Sequence, residues 1–369
     1  MKRIIAALAA VFIMMLSVFK VGAEELTFDY SQVYQSLSPQ VCEKLGEMGL
    51  NSADANTLSK LSFESVISQL VKTAGESFSS PFSGLITIVA VLLLCSILSA
   101  YKNSLSNEIG NTVQAAASLC VCCAVVIPAA GYIAAAENVV SVSANLFLAY
   151  IPIAAVMMAA SGKAISSASY QAAMIAVGQG AAQIFSNVVL PFLNIFLGLS
   201  ITSGIAPQAR LSGFSAMTLR FTRRLLAFAM TIFAAVLSIR QLLSDNLDSV
   251  AVRAVKFGLT SFVPVVGSAL GEAYKTVQGS VQLMKSGLGV FVILAIALTF
   301  LPLLVQGIGW SLCLMFGKAL AEAMGVDGCA RLLEALREVF STIVAVLLSM
   351  MAVFIISTAA AFMVGGGSS

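Results

Sequence analysis

The sequence predicts an all-α, polytopic helical membrane protein, and three observations carry that expectation. Apolar residues make up 59% of the chain and charged ones only 10%, with a mean hydropathy of +0.98. A soluble protein of 369 residues needs far more surface charge, so hydrocarbon is the solvent for most of the chain. The apolar runs are continuous and long rather than alternating, which selects helices over an outer-membrane barrel. Proline recurs at a nearly constant interval: Pro81, Pro191 and Pro302 lie 110 and 111 residues apart, and Pro152 and Pro264 differ by 112. Five of the eight prolines thus fall on one period, which predicts parallel internal repeats with Pro-broken helices, in units 81–190, 191–301 and a partial 302–364.

Along the chain, residues 1–23 read as a signal peptide. Lys2 and Arg3 form its basic start, Ile4 to Phe19 its apolar stretch, and Val21-Gly22-Ala23 the small residues for cleavage between Ala23 and Glu24. An uncleaved anchor helix is the alternative. Residues 24–80 follow as an exported segment of two or three short helices, in which Leu58, Leu61, Val66, Ile67, Leu70 and Val71 draw an amphipathic pattern. So short a segment is marginal for a core of its own, so it is expected to pack on the membrane surface or on a partner helix. Residues 81–364 form the polytopic domain, and 365–369 a tail.

Spans are expected at Phe82–Ala100, Val113–Ala135, Leu225–Leu243, Leu288–Phe316 and Phe340–Val364. Two regions stay open: Val139–Ala160 either spans or bends back at Pro152, and Phe257–Gly271, with Pro264, reads as a re-entrant or broken element. Ser169–Ile205 is too long for one straight helix, and Pro191 is expected to break it. The basic loop with Arg210, Arg220, Arg223 and Arg224 belongs in the cytoplasm. If residues 24–80 are outside, that placement requires one or three crossings between Val139 and Ile205. Residues Lys318–Glu338 then also lie inside and the tail outside. Each repeat holds an even number of crossings, so the copies point the same way.

Few residues suggest chemistry. There is no histidine, which removes the commonest general base and nitrogen metal ligand. Gly-rich phosphate loops, Ser/Lys dyads and paired intramembrane aspartates are absent, and Gly162-Lys163 lacks the rest of a P-loop. An enzyme is not expected, nor any cofactor or metal. A net charge of +3, dispersed along the chain, does not point to nucleic acid. Cys120, Cys122 and Cys123 sit in an apolar span without a carboxylate beside them and read as small packing residues. Gln179, Gln183 and Asn187, spaced i, i+4, i+8, continue to Asn194 as a polar stripe, which either lines an aqueous path or hydrogen-bonds neighbouring helices. Pro152, Pro191, Pro264 and Pro302 are the candidate broken-helix elements.

One block is more specific. Arg253-Ala254-Val255-Lys256-Phe257, then Ser261-Phe262-Val263-Pro264-Val265-Val266-Gly267, then Ala273 and Thr276-Val277, resembles the family of stage III sporulation protein AE. Leu61-Ser62-Phe63-Glu64 and the general hydropathy extend the likeness over the chain. The resemblance implies a role in endospore formation, in the mother-cell membrane that surrounds the forespore. It implies a channel-like assembly with other membrane proteins, in which residues 24–80 face the intermembrane space and the Arg210–Arg224 loop faces the mother-cell cytoplasm. It carries over no catalytic residue. Three functions follow as expectations: a non-enzymatic component of a multiprotein channel, a secondary transporter built from parallel repeats, or a membrane scaffold.

Overall fold

The computed structural model describes residues 31–48, 63–101, 107–160, 164–205, 213–214, 216–233, 235–236, 238 and 267–366. Ala23, Glu24, Lys163, Arg210 and Pro264 lie outside these residues. The described chain is all helix. Two short helices, α1 (Ser31–Gln35) and α2 (Pro39–Glu47), precede α3 (Phe63–Tyr101) and α4 (Asn107–Ala160). Helix α5 (Ala164–Ile184) passes through a π turn (Phe185–Val189) into α6 (Leu190–Ile205). Positions between 213 and 238 form α7, and α8 (Gly267–Ala323) and α9 (Asp327–Gly366) close the bundle.

Among the described residues, five stretches are long and apolar enough to cross a membrane: Ser68–Ile97, Cys123–Ala160, Ile165–Thr202, Leu288–Ala323 and Asp327–Ala359. The expected Leu225–Leu243 span falls on α7, whose described part stops at residue 238. Two thirds of the most apolar α8 window is buried (67%), against 22% for α3, so α8 is the axis of the bundle and α3 lies on its flank. The core around α8 is aromatic: Tyr132 stacks on Phe340 at 4.9 Å, Trp310 on Phe340 at 5.6 Å, and Phe147 packs on Phe354 at 5.1 Å. Three buried threonine hydroxyls are satisfied within their own helices. Thr299, Thr342 and Thr358 each donate to the carbonyl one turn back (Ala295, Glu338, Phe354), so they enter an apolar interior without an unmet donor.

The helices do not break where proline led us to expect. Pro152 lies inside α4 and Pro302 inside α8, and each helix runs through. A proline removes one ladder hydrogen bond and crowds the preceding turn, at a cost of about 3 kcal/mol. Ending the helix in hydrocarbon would orphan several backbone groups instead, which is worse. Pro191 comes two residues after the π turn, which ends at Val189, so the strain there is absorbed as a local widening rather than a break. Helix α3 likewise passes through Pro81, so the end of the amphipathic segment and the first span share one helix.

The second correction concerns α4. The sequence suggested separate elements at Val113–Ala135 and Val139–Ala160; the structure makes them one helix of 54 residues, about 80 Å long. Ala134-Ala135-Ala136 before Glu137 and Asn138 offers strong helix formers and no turn residue, so nothing ends the helix there. Val139–Ala160 is therefore neither re-entrant nor a separate crossing. Ile165–Thr202 is also one continuous span across the π turn.

Contacts fix the helix directions. A Cβ on Gly84 would meet Trp310, and one on Gly317 would meet Ile88, so α3 and α8 run the same way. Gly317 also faces Leu333 and Gly307 faces Val344, so α9 returns antiparallel to α8. Ser167 Oγ donates to the Ala155 carbonyl, and Gly178 faces Phe147, so α5 runs antiparallel to α4. Helices α3, α5–α6 and α8 thus share one direction, and they carry Pro81, Pro191 and Pro302.

Two turns are legible in their chemistry. Ser38 caps α2 by accepting from the Val41 N–H, with Pro39 at the first helical position. Between α8 and α9 the chain turns at Gly325, whose φ of +70° requires glycine. There the Val326 N–H returns to the Ala321 carbonyl at 2.9 Å. At the other end α1 and α2 dock through buried Val33, Leu37, Val41 and Leu45, and Tyr34 stacks on Phe291 of α8.

Candidate functional site: a polar cleft at mid-span

Between α3, α4 and α8 the bundle opens a cleft of about 510 Å³. Gln306 and Trp310, on its α8 wall, lie near the middle of the Leu288–Ala323 span. Helix α3 contributes Ser80, Ser83, Gly84 and Thr87, and α4 contributes Ala124, Pro128, Gly131 and Tyr132. The polar residues of α3 recur at i, i+3 and i+7, which sets them on one face of the helix. Ala124 and Gly131 beside them leave space that larger side chains would fill.

The lining is uncharged and mixed: Ser80, Ser83, Thr87 and Gln306 supply polar groups among apolar walls that include Ile127, Ala135 and Trp310. Ser83 donates to the Ser80 carbonyl at 2.9 Å and Thr87 to the Ser83 carbonyl at 3.3 Å, which leaves both oxygens able to accept. Pro128 has no N–H, so the Ala124 carbonyl on the cleft wall lacks its helical donor. Such groups at membrane depth are tolerated where they line a water-filled space or meet a polar partner. The arrangement can bind water, an uncharged polar solute or a small-residue helix; it holds no nucleophile–base pair. Among the described residues no group of three His, Cys, Asp or Glu side chains is placed to hold a metal.

Two close approaches shape the cleft. The Trp310 indole lies against the Gly84 backbone, and the Tyr132 hydroxyl against Gly307, with no room for a Cβ at either glycine. Tyr132 in turn donates to the Leu303 carbonyl. Pro81 packs on Gly309, and its carbonyl lies 3.3 Å from the Cys313 thiol.

A charged cluster marks the end of the bundle where α8 turns into α9. Lys318 pairs with Glu334 at 3.1 Å, Arg337 with Glu334 at 2.7 Å, and Arg223 of α7 with Glu338 of α9. The Arg223–Glu338 pair brings the basic residues of α7 and the Lys318–Glu338 region to the same end. Toward the other end Lys44 bonds Thr73 at 3.1 Å, and Glu47 accepts from Gln69 and pairs with Lys72. Those hydrogen bonds hold the Glu47 carboxyl below its ordinary value of 4.5, that from Gln69 first and that from Lys72 next.

The stripe read from the sequence does not join the cleft. Gln183, Asn187 and Asn194 lie on the exposed side of α5–α6 with Gln179 half-buried, and Asn187 bonds Gln183. Cys120 and Cys123 are exposed, whereas Cys95 of α3 hydrogen-bonds Cys329 of α9, a pairing the sequence does not suggest. The cleft residues were missed too. The available signal was a run of Ser and Thr on one face, facing the chain's single tryptophan.

The model of the stage III sporulation protein AE family matches residues 51–365. The chain belongs to that family. It is also similar to stage III sporulation protein AE of Bacillus subtilis (strain 168), with 25% identity over 208 residues, 55% of this chain and 51% of the relative. The chain thus spans about half the length of that curated relative. No solved structure matches it. This member of the family is a sporulation membrane protein with a mid-span cleft.

Proposed function

We propose that this protein is a non-enzymatic membrane component of a multiprotein channel or secretion-like complex, required for endospore formation and linking mother cell and forespore. The observation that carries the proposal is the cleft at Gln306 and Trp310: uncharged, with the Ser80, Ser83 and Thr87 face on one wall, at mid-span and open on the bundle's flank. A self-sufficient carrier encloses its site between helices. A wall subunit needs only one polar side, completed by neighbours. Helices α3, α5–α6 and α8 run in one direction, which supports parallel repeats and keeps a transporter as the second reading.

In this reading the protein crosses the mother-cell membrane around the forespore. The end with Arg220, Arg223, Arg224 and Lys318 is cytoplasmic, and α1 and α2 lie on the opposite face. Its partners are other membrane proteins of the same assembly. The test has two arms. Purified protein in liposomes should move no solute, and a photo-crosslinker at Ser83 in sporulating cells should trap membrane partners. Selective uptake by the protein alone would replace this reading with the transporter.

A further inference from the structure

Gln183, Asn187 and Asn194 are exposed inside the Ile165–Thr202 span, where hydrocarbon leaves an amide unsolvated. Asn187 donates to the Gln183 side-chain oxygen at 2.5 Å. That bond leaves one Asn187 hydrogen and both Gln183 amide hydrogens unspent among the described residues. The Asn194 amide has no partner among the described residues. Gly198 is exposed beyond them, and an added Cβ there would meet nothing within 4 Å, so a neighbouring helix can approach closely. This face is a row of donors that needs a polar partner at membrane depth.

The cleft between α3, α4 and α8 has the complementary need. The Ser83 and Thr87 hydroxyls spend their hydrogens on their own helix, and the Ala124 carbonyl lacks its helical donor, so these three groups offer acceptors only. The depths match. Ser83 and Gln306 lie near the middle of their spans, as Gln183 and Asn187 do of theirs. Helix α3 packs on α4 and α8, and α5–α6 packs on α4 and α9, so cleft and stripe occupy different flanks and do not meet within one chain. We infer that the stripe of one copy enters the cleft of the next, a head-to-tail contact between identical chains. The inference rests on the reading of the cleft as a wall completed by a neighbour, and it names that neighbour as a second copy. Both patches sit in one membrane at one depth, so a rotation about the membrane normal brings them together, and repetition builds a ring where the rotation closes. Pairing stripe to stripe across a two-fold axis would leave the cleft acceptors unmet. At about 510 Å³ the cleft holds two such amides with room for water.

The test co-expresses two differently tagged full-length chains in a background without native cysteines, one with Ser83→Cys and the other with Asn187→Cys. Membranes are then oxidised with copper phenanthroline. A disulfide carrying both tags is expected, severalfold above the yield of either chain with itself. Adding Asn194→Leu to the second chain should lower that yield severalfold at an unchanged membrane level; an unchanged yield overturns the role of the amides. A dominant 187–187 adduct, or no mixed adduct, overturns the head-to-tail contact. A photo-crosslinker at Ser83 in the otherwise native chain gives the same answer without cysteines and should trap a second copy. If it traps only other membrane proteins, the contact between copies falls and the channel-component reading stands. Solute uptake by the purified protein overturns that reading instead.

Discussion

Tyr132 of α4 donates its phenolic hydrogen to the main-chain carbonyl of Leu303, one residue past Pro302 of α8, at 2.9 Å. The bond ties two long helices at the depth where Pro302 has removed a rung from the α8 ladder. Tyr132→Phe keeps the stack on Phe340 and loses only this bond. It should cost about 1 kcal/mol in reversible unfolding from mixed micelles. Gly307→Ala should cost more, about 1–3 kcal/mol, because the new methyl meets both the Tyr132 hydroxyl and Val344. If the two variants melt like wild type, the α4–α8 contact does not hold the bundle.

Gly84 and Trp310 make the matching contact on the α3 side. Any side chain at 84 must push the indole away from α3. Gly84→Ala should therefore shift the emission of the single tryptophan and raise its quenching by acrylamide, with helical content held. Gly75, where an added Cβ meets nothing within 4 Å, is the control and should leave the spectrum unchanged.

The fold was legible wherever hydropathy alone decides it. Helix class, the α8 and α9 spans and the shared end of the basic residues all follow from apolar length and from Arg and Lys placement. Helix continuity was not legible. Pro152 and Pro302 break helices in water, but hydrocarbon reverses the balance by penalising orphaned backbone groups. The gap expected between Ala135 and Val139 is unbroken helix, and Glu137 within it is exposed. The cleft was hidden for a different reason. Ser80, Ser83 and Gln306 are ordinary residues singly, and only the packing of α3 against α8 brings them together. The stripe of Gln183, Asn187 and Asn194 shows the converse: a conspicuous period whose face turns outward.

Hydration of the cleft is open to direct measurement. In a background without native cysteines, Ser83→Cys faces the cleft, whereas Ile86→Cys replaces a side chain that is 61% exposed on the flank of α3. A charged methanethiosulfonate needs a hydrated, ionised thiol. Cys at 83 should react on the order of tenfold faster than Cys at 86. Equal rates would mean that the cleft is dry.

The Arg223–Glu338 pair is half-exposed, so its strength should be modest, below about 1 kcal/mol in a double-mutant cycle. Its value is directional, because it joins α7 to α9. Arg223→Glu should loosen α7, seen as faster proteolysis between 206 and 240, and Glu338→Arg in the same chain should restore protection. Failure of the swap to rescue would assign the loss to Arg223 alone.

The docking of α2 makes a prediction in pH. Burial is the main influence on the Cys42 thiol and pushes it above its ordinary 9.0, while a backbone hydrogen bond opposes part of that rise; its sulfur lies 3.9 Å from the Tyr34 carbonyl. Only the thiolate reacts with iodoacetamide, so a chain retaining Cys42 alone should label slowly at pH 8 and speed up only above pH 9. Glu47 has the opposite sign. Its carboxyl is depressed in the folded state, so its contribution is complete above the ordinary 4.5 and is lost as pH falls through the lower folded value. Acid below that point should loosen the α2–α3 contact without undocking α2, whose Val41 and Leu45 stay buried, and modestly raise the fraction of thiol exposed to an acid-tolerant disulfide reagent such as dithiodipyridine. Glu47→Gln should abolish that acid step while leaving the alkaline one in place. An acid step that survives in Glu47→Gln would move the switch to another carboxylate of the contact, with Glu76 beside Lys44 the next to test.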